Sequence, residues 1–126
     1  MVKKAFTAEG TVSVGPYSHA VGSGGFVYLS GQIPLDIKTG KITEGDIAAQ
    51  TEQCFKNVSN VLRAAGLSLD NVVKVTVFLT NMDDFSAMNS VYEKQFQAPF
   101  PARSAIGVAQ LPLGARIEIE VMAHRD

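Results

Sequence analysis

The chain is poor in the residues that staple or metallate small proteins: its 126 residues include one Cys and two His. Cys54 alone closes no internal disulfide, so the sequence reads as that of a protein of a reducing compartment, cytoplasmic with a mitochondrial location also open. One thiol and two imidazoles make a zinc cage an unfavoured reading. Charge of neither sign is in excess. Eleven Lys and Arg meet 12 Asp and Glu, for a net charge of −1, which argues against a nucleic-acid binder held by phosphate contacts. No stretch approaches the roughly 18 consecutive apolar residues of a membrane span. No G-x-S-x-G elbow supports a serine hydrolase. Residues 1–6 are basic but lack a long apolar core, and Glu9 follows soon after, so no signal or transit peptide is expected. Composition shifts, charge blocks and repeats are also missing. The expectation is one domain over residues 1–126, a length at which single domains cluster.

What is present is a change of period along the chain. Gly15-Pro16 marks a turn. His19-Ala20-Val21 and Phe26-Val27-Tyr28-Leu29-Ser30 read as strands joined through Gly22-Ser23-Gly24-Gly25 as a hairpin. Residues 31–45 hold Gly31, Pro34, Gly40 and Gly45 and read as a loop. Ile47, Thr51, Cys54, Phe55, Val58, Val61, Leu62 and Ala65 recur at steps of three and four, the face of a helix. Asp46 suits its N-cap and Gly66 its left-handed C-terminus. Residues 72–79 form a β-branched strand apolar on nearly both faces. Residues 81–84 read as a turn opening a second helix, striped by Phe85, Met88, Val91, Tyr92 and Phe96 and stopped by Pro99 and Pro101. Residues 103–109 and 115–123 read as strands joined by a hairpin turn at Leu111-Pro112-Leu113-Gly114. The last strand alternates cleanly.

The expected order is therefore β-β-α-β-α-β-β, an α+β fold with a mixed sheet and both helices on one face. The other face must meet solvent or another subunit, and the apolar second side of strand 72–79 favours the subunit.

Few residues offer chemistry. Cys54 lies on the apolar helix face, where an inert buried thiol is favoured over a nucleophile. His19 and His124 are favoured as edge or surface residues. Gly22-Ser23-Gly24-Gly25 precedes a strand, so it offers no helix N-terminus to a phosphate. The terminal strands are more informative. Arg103 follows two stiffening prolines, and Glu118 and Glu120 share one face of the expected partner strand. Two readings fit: a solvated face with cross-strand ion pairs, or a cleft between subunits in which Arg103 forks a carboxylate and a Glu handles a proton or a water.

From Gly15 to the C-terminus the sequence resembles the Rid family (YjgF-type reactive intermediate deaminases). The resemblance is carried by Gly15-Pro16-Tyr17-Ser18, by Ser30-Gly31-Gln32-Ile33-Pro34, and by the strand Val73-Lys74-Val75-Thr76-Val77-Phe78-Leu79. It continues through Asp84-Phe85, Asn89, Val91-Tyr92, Pro101-Ala102-Arg103-Ser104, Leu111-Pro112 and Ile117-Glu118-Ile119-Glu120. It implies a fold like that of the small trimeric chorismate mutases, a homotrimer with three clefts between subunits, and no metal or organic cofactor. It implies hydrolysis of 2-imino and 2-enamino acids such as 2-aminoacrylate to 2-oxo acids and ammonia. In that reading Arg103 binds the substrate carboxylate, Glu118 activates water and shuttles protons, and Tyr17 closes the pocket. Ser30, Gly31 and Asn89 shape the site, and the backbone at Ala105 meets the substrate nitrogen. Two positions depart from the family pattern: Ala105 stands where Cys is common, which rules out a thiol role, and His19 stands where Gln is frequent. The rival readings are a sensing module using the same cleft, an RNA-cleaving translation inhibitor, and a chaperone-like interaction protein.

Overall fold

A computed structural model describes residues 3–11 and 14–126. Eight strands and two helices follow one another as β1 (Lys4–Phe6), β2 (Ala20–Ser23), β3 (Phe26–Leu29), β4 (Leu35–Asp36), β5 (Lys41–Ile42), α1 (Ile47–Ala64), β6 (Val72–Leu79), α2 (Phe85–Tyr92), β7 (Ala102–Gly107) and β8 (Ile117–His124). Six of the strands form one mixed sheet in the order β1-β2-β3-β8-β6-β7, and β4 pairs with β5 alone.

The helix expected from the apolar stripe forms as read. Asp46 accepts a hydrogen bond from the Ala49 N–H at 3.0 Å. Gly66, at φ +76°, lets the chain turn so that Leu67 N–H reaches back to Leu62 O at 2.9 Å. Its buried face, with Cys54, Val58 and Leu62 fully inaccessible, lies on the sheet against Val75, Val77, Ile117 and Ile119, which are also fully inaccessible. Strict alternation gives β8 this central place: Ile117, Ile119, Val121 and Ala123 point into the core and Glu118, Glu120 and Met122 point away. Phe55, Tyr92 and Phe96 close the core beside α2 with ring centroids 5.0–5.8 Å apart.

The fold departs from the sequence expectation at four places. β2 runs on through Ser23, and Gly24 and Gly25, at φ +61° and +87°, make the tight two-residue turn. The stretch read as a loop over residues 31–45 holds the β4–β5 hairpin, tied to α1 by Asn57 Nδ2, which donates to Ile33 O and Leu35 O at 3.0 and 2.9 Å. β6 is less apolar on its second side than its composition suggested. A bulge between Val72 and Lys74 turns both Val72 and Val75 inward, leaving Lys74, Thr76 and Phe78 outside. Finally, β7 and β8 are not a hairpin. β7 pairs parallel with β6 at the sheet edge, while β8 runs antiparallel to β6 on its other side. The chain from 108 to 116 therefore passes over β6. Burial decides this: β8 has four core residues to cover, and β7, with short or exposed side chains, can tolerate an edge.

Both helices pack on one face, as expected. The opposite face presents Phe26, Tyr28, Ile106 and Met122, each 37–45% exposed.

Candidate active site

The predicted residues fall into two groups on opposite faces of the sheet. The first surrounds Glu118, which leaves β8 on the face away from the helices. Beside it the chain after β3 is pinned by a reciprocal pair, Gln32 N–H to Ile119 O at 2.8 Å and Ile119 N–H to Gln32 O at 2.9 Å. That pairing presses Gly31 onto Glu118. A Cβ at Gly31 would collide with the end of the Glu118 side chain, so glycine here is what lets the Glu118 carboxylate lie against the backbone in this position. Ser30 Oγ donates to Ser18 O at 2.7 Å, and Ser30 N–H donates to His19 O at 2.9 Å. These bonds bring the segment bearing Tyr17, whose ring is half exposed, alongside Gly31 and Glu118. Tyr17, His19, Ser30, Gly31 and Glu118 line one cavity of about 580 Å³ at this end of the sheet, which also reaches Val61 and Asn57 of α1. Burial pushes the Glu118 carboxyl above its ordinary range, and Glu120 on the same strand face adds to the rise.

His19 is not an edge residue: it is buried, and its Nδ1 accepts from Ala8 N–H at 3.0 Å. His124 lies at the other end of β3, against Phe26 with ring centroids 4.7 Å apart. Cys54 is buried as expected, and burial first, then Glu118, pushes its thiol far up.

The second group surrounds Arg103 on β7. Arg103 is paired with the inward-facing Val75 and leans to the helix side. Its Nη1 donates to Asn89 Oδ1 at 2.6 Å. Its Cζ lies 4.5 Å from the ring centroid of Tyr92 and 5.4 Å from that of Phe85. Burial pushes the Tyr92 phenol up while Arg103 pulls it the other way. Ala105, two residues on, is half-buried against the core, so only its backbone, on an edge strand, is available to a ligand.

Arg103 and Glu118 therefore do not share a strand face. With β6 between them and a three-residue offset along it (Val75 against Phe78), their Cα atoms stand roughly 14 Å apart, side chains pointing to opposite faces. The cross-strand ion pairs that the sequence left open do not form. Among the described residues the salt bridge between permanently charged side chains is Arg116–Asp84, at 3.1 Å, and His124 Nδ1 lies 3.9 Å from Asp126 Oδ1. The aromatic contacts of Arg103 were missed in the sequence because Phe85 and Tyr92 read only as core stripe. Their spacing from Asn89, four before and three after, was the available signal. Among the described residues no three His, Cys, Asp or Glu side chains converge as a metal site, and no helix is long and apolar enough to cross a membrane.

Comparison with known proteins agrees with this fold. The family described as Endoribonuclease L-PSP matches residues 7–125. A RutC family protein of Pyrococcus horikoshii is 47% identical over 121 residues, 96% of each chain. A 2-iminobutanoate/2-iminopropanoate deaminase of Dermatophagoides farinae is 49% identical over 107 residues, 85% of this chain and 84% of the other. The crystal structure of YyfA from Yersinia pestis, described as a protein of unknown function of the conserved Rid family, superposes with a TM-score of 0.93 at 42% identity, covering 98% of this chain and 99% of that one. With the family match running nearly end to end and relatives this similar over most of their length, the chain belongs to the Rid (YjgF/L-PSP) family.

Proposed function

We propose that this protein is a deaminase that hydrolyses 2-imino and 2-enamino acids such as 2-aminoacrylate to 2-oxo acids and ammonia, in clefts between the chains of a homotrimer. One observation carries the reading. An arginine with no carboxylate partner among the described residues and a desolvated glutamate stand on opposite faces of the same sheet. They can meet on one ligand only when two copies of the chain face each other, the edge strand β7 of one against the Glu118 cavity of the next. The name of the Dermatophagoides relative supports the substrate class.

The chemistry asked of the cleft is modest. The enamine takes a proton at its terminal carbon to become the imine. Water adds to the imine carbon while its proton passes to a base, the nitrogen takes up protons, and the carbon–nitrogen bond breaks to release ammonia and leave the 2-oxo acid. Arg103 holds the planar carboxylate by two parallel N–H bonds. Glu118, its affinity for a proton raised by burial, takes the proton from water and returns it to nitrogen. Tyr17 covers the cleft, Ser30 and Gly31 shape the wall against Glu118, Asn89 steadies Arg103, and the backbone at Ala105 accepts or donates at the nitrogen. Because imines hydrolyse unaided, positioning with limited acid–base help is enough.

The family's ribonuclease name has less support in this chain. RNA cleavage by an acid–base pair of histidines needs two rings at one phosphate. His19 is committed to Ala8 N–H, and His124 lies at the far end of β3. The deciding experiment generates 2-aminoacrylate with a serine dehydratase and follows pyruvate. Pyruvate should form faster with this protein present. An unchanged rate at every concentration of the protein refutes the reading.

A further inference from the structure

Arg103 is held by one face of one helix. Phe85, Asn89 and Tyr92 occupy positions i, i+4 and i+7 of α2, which stack on the same side. Asn89 takes one N–H of the guanidinium, and the two aromatic rings meet its carbon at 5.4 and 4.5 Å. The Tyr92 ring cannot turn away. It is 5% exposed and set edge-on against Phe55 at 67°, with Phe96 5.0 Å off its centroid. Its hydroxyl is buried with no hydrogen-bond partner among the described residues, so the ring rather than the hydroxyl makes the contact that matters at this position.

The two kinds of partner divide the work. A carboxylate beside Arg103 would neutralise it and take up its N–H donors, as Asp84 does to Arg116, whose Nη2 donates to both carboxylate oxygens at 3.1 and 3.2 Å. Ring faces attract the cation but take none of its in-plane N–H donors. A long side chain on an exposed edge strand otherwise samples many rotamers, and two-point capture of a carboxylate uses only a few of them.

We propose that Tyr92 and Phe85 are positioning residues for substrate binding: their ring faces preset the Arg103 fork for the carboxylate of a 2-imino acid. The proposal rests on the deaminase reading above. Tyr92→Leu and Phe85→Leu keep apolar bulk and remove the ring. Each is expected to raise KM for 2-aminoacrylate, and the inhibition constant of the product analogue 2-oxobutanoate, by about 3- to 30-fold, the range of a cation–π contact, with kcat changed less than about 2-fold. Tyr92→Phe restores the ring and should restore wild-type KM, a rescue that packing alone gives no reason to appear in KM rather than in Tm.

Arg103→Lys, measured beside them, separates the two levels of the argument. If Arg103→Lys raises KM while both leucine variants keep the wild-type value, the aromatic clamp is refuted and the deaminase reading stands. If Arg103→Lys itself leaves KM and inhibition unchanged, the carboxylate fork is wrong and the clamp falls with it. Should Tyr92→Leu fail to fold, Phe85→Leu, half-buried and at the helix start, decides alone.

Discussion

Arg103→Ala and Glu118→Gln are each expected to be inactive alone and to restore activity to one another when their chains are mixed. The expectation follows from strand order. Arg103 leaves the edge strand β7 toward the helices, and Glu118 leaves β8 toward the opposite face, with β6 between them. A cleft between chains then takes its arginine half from one copy and its glutamate half from the neighbour, a head-to-tail contact that closes into a ring. The Arg103→Ala chain still offers an intact glutamate half, and the Glu118→Gln chain an intact arginine half. At equal amounts and random assortment, a cleft is complete when each half comes from the right variant, one chance in two for each, so about one quarter of clefts recover. Activity should peak near 25% of wild type at the equimolar point and fall symmetrically to zero as either variant dominates. The assay is pyruvate formation from 2-aminoacrylate after the two variants are denatured and refolded together, with native mass spectrometry to verify that mixed oligomers formed. Refolding the double variant with either single variant is the control and should recover nothing. Verified mixed oligomers with no activity at any ratio would show that both groups serve one ligand within one chain, or that neither serves it.

Three further outcomes follow from the site. Glu118 binds its proton more tightly folded than unfolded, so ionising it costs stability. That cost is absent below its ordinary value of 4.5 and grows as pH rises through the raised value. Melting curves of Glu118→Gln should therefore match wild type near about pH 4 and lie above it at about pH 7, and the acid limb of the wild-type rate profile should fall at a higher pH than an ordinary carboxyl gives; a gap that closes as pH rises would reverse the sign and refute the burial argument. Gly31→Ala places a methyl where the Glu118 carboxylate lies, so it should displace that side chain and cut kcat by about 10-fold or more while inhibition by 2-oxobutanoate, which depends on Arg103, is kept; a wild-type kcat would show that Glu118 does not need this position. Cys54, fully buried, should resist a disulfide-exchange reagent until the protein unfolds, and Cys54→Ala should cost about 1–2 kcal/mol in denaturant unfolding while leaving turnover intact; rapid labelling of the folded protein, or loss of turnover in a folded Cys54→Ala, would show a thiol with access or a task that this structure does not give it.

How much of this could be read before the structure depends on how local the determining interaction is. The face of α1 and the alternation of β8 were legible because burial repeats along each segment with its own period, and the structure buries every residue assigned to the α1 face. The β4 and β5 strands were not, since two residues each carry no period. What fixes them is the donation of Asn57 to two carbonyls 22 and 24 residues away. The expected β7–β8 hairpin failed for a related reason. A turn such as Leu111-Pro112-Leu113-Gly114 between two strands is a local signal for pairing, but β7 is claimed by the parallel register of β6 through α2, and β8 by its own four inward residues.

The same limit applies to the site. Motif resemblance named Arg103, Glu118, Tyr17, Ser30, Gly31, Asn89 and Ala105 one by one, because each motif is contiguous. Which of them face one another is a property of strand order, and that order depends on contacts tens of residues apart. Read as a hairpin, Arg103 and Glu118 were neighbours able to neutralise each other. With β6 inserted they stand apart: a guanidinium with no anion beside it among the described residues, and a carboxylate pushed toward its protonated form. A chain that separates such complementary groups leaves each of them open to a ligand bound between two copies. Under the proposed deaminase function, turnover depends on the partition of these residues between two faces rather than on their proximity within one chain.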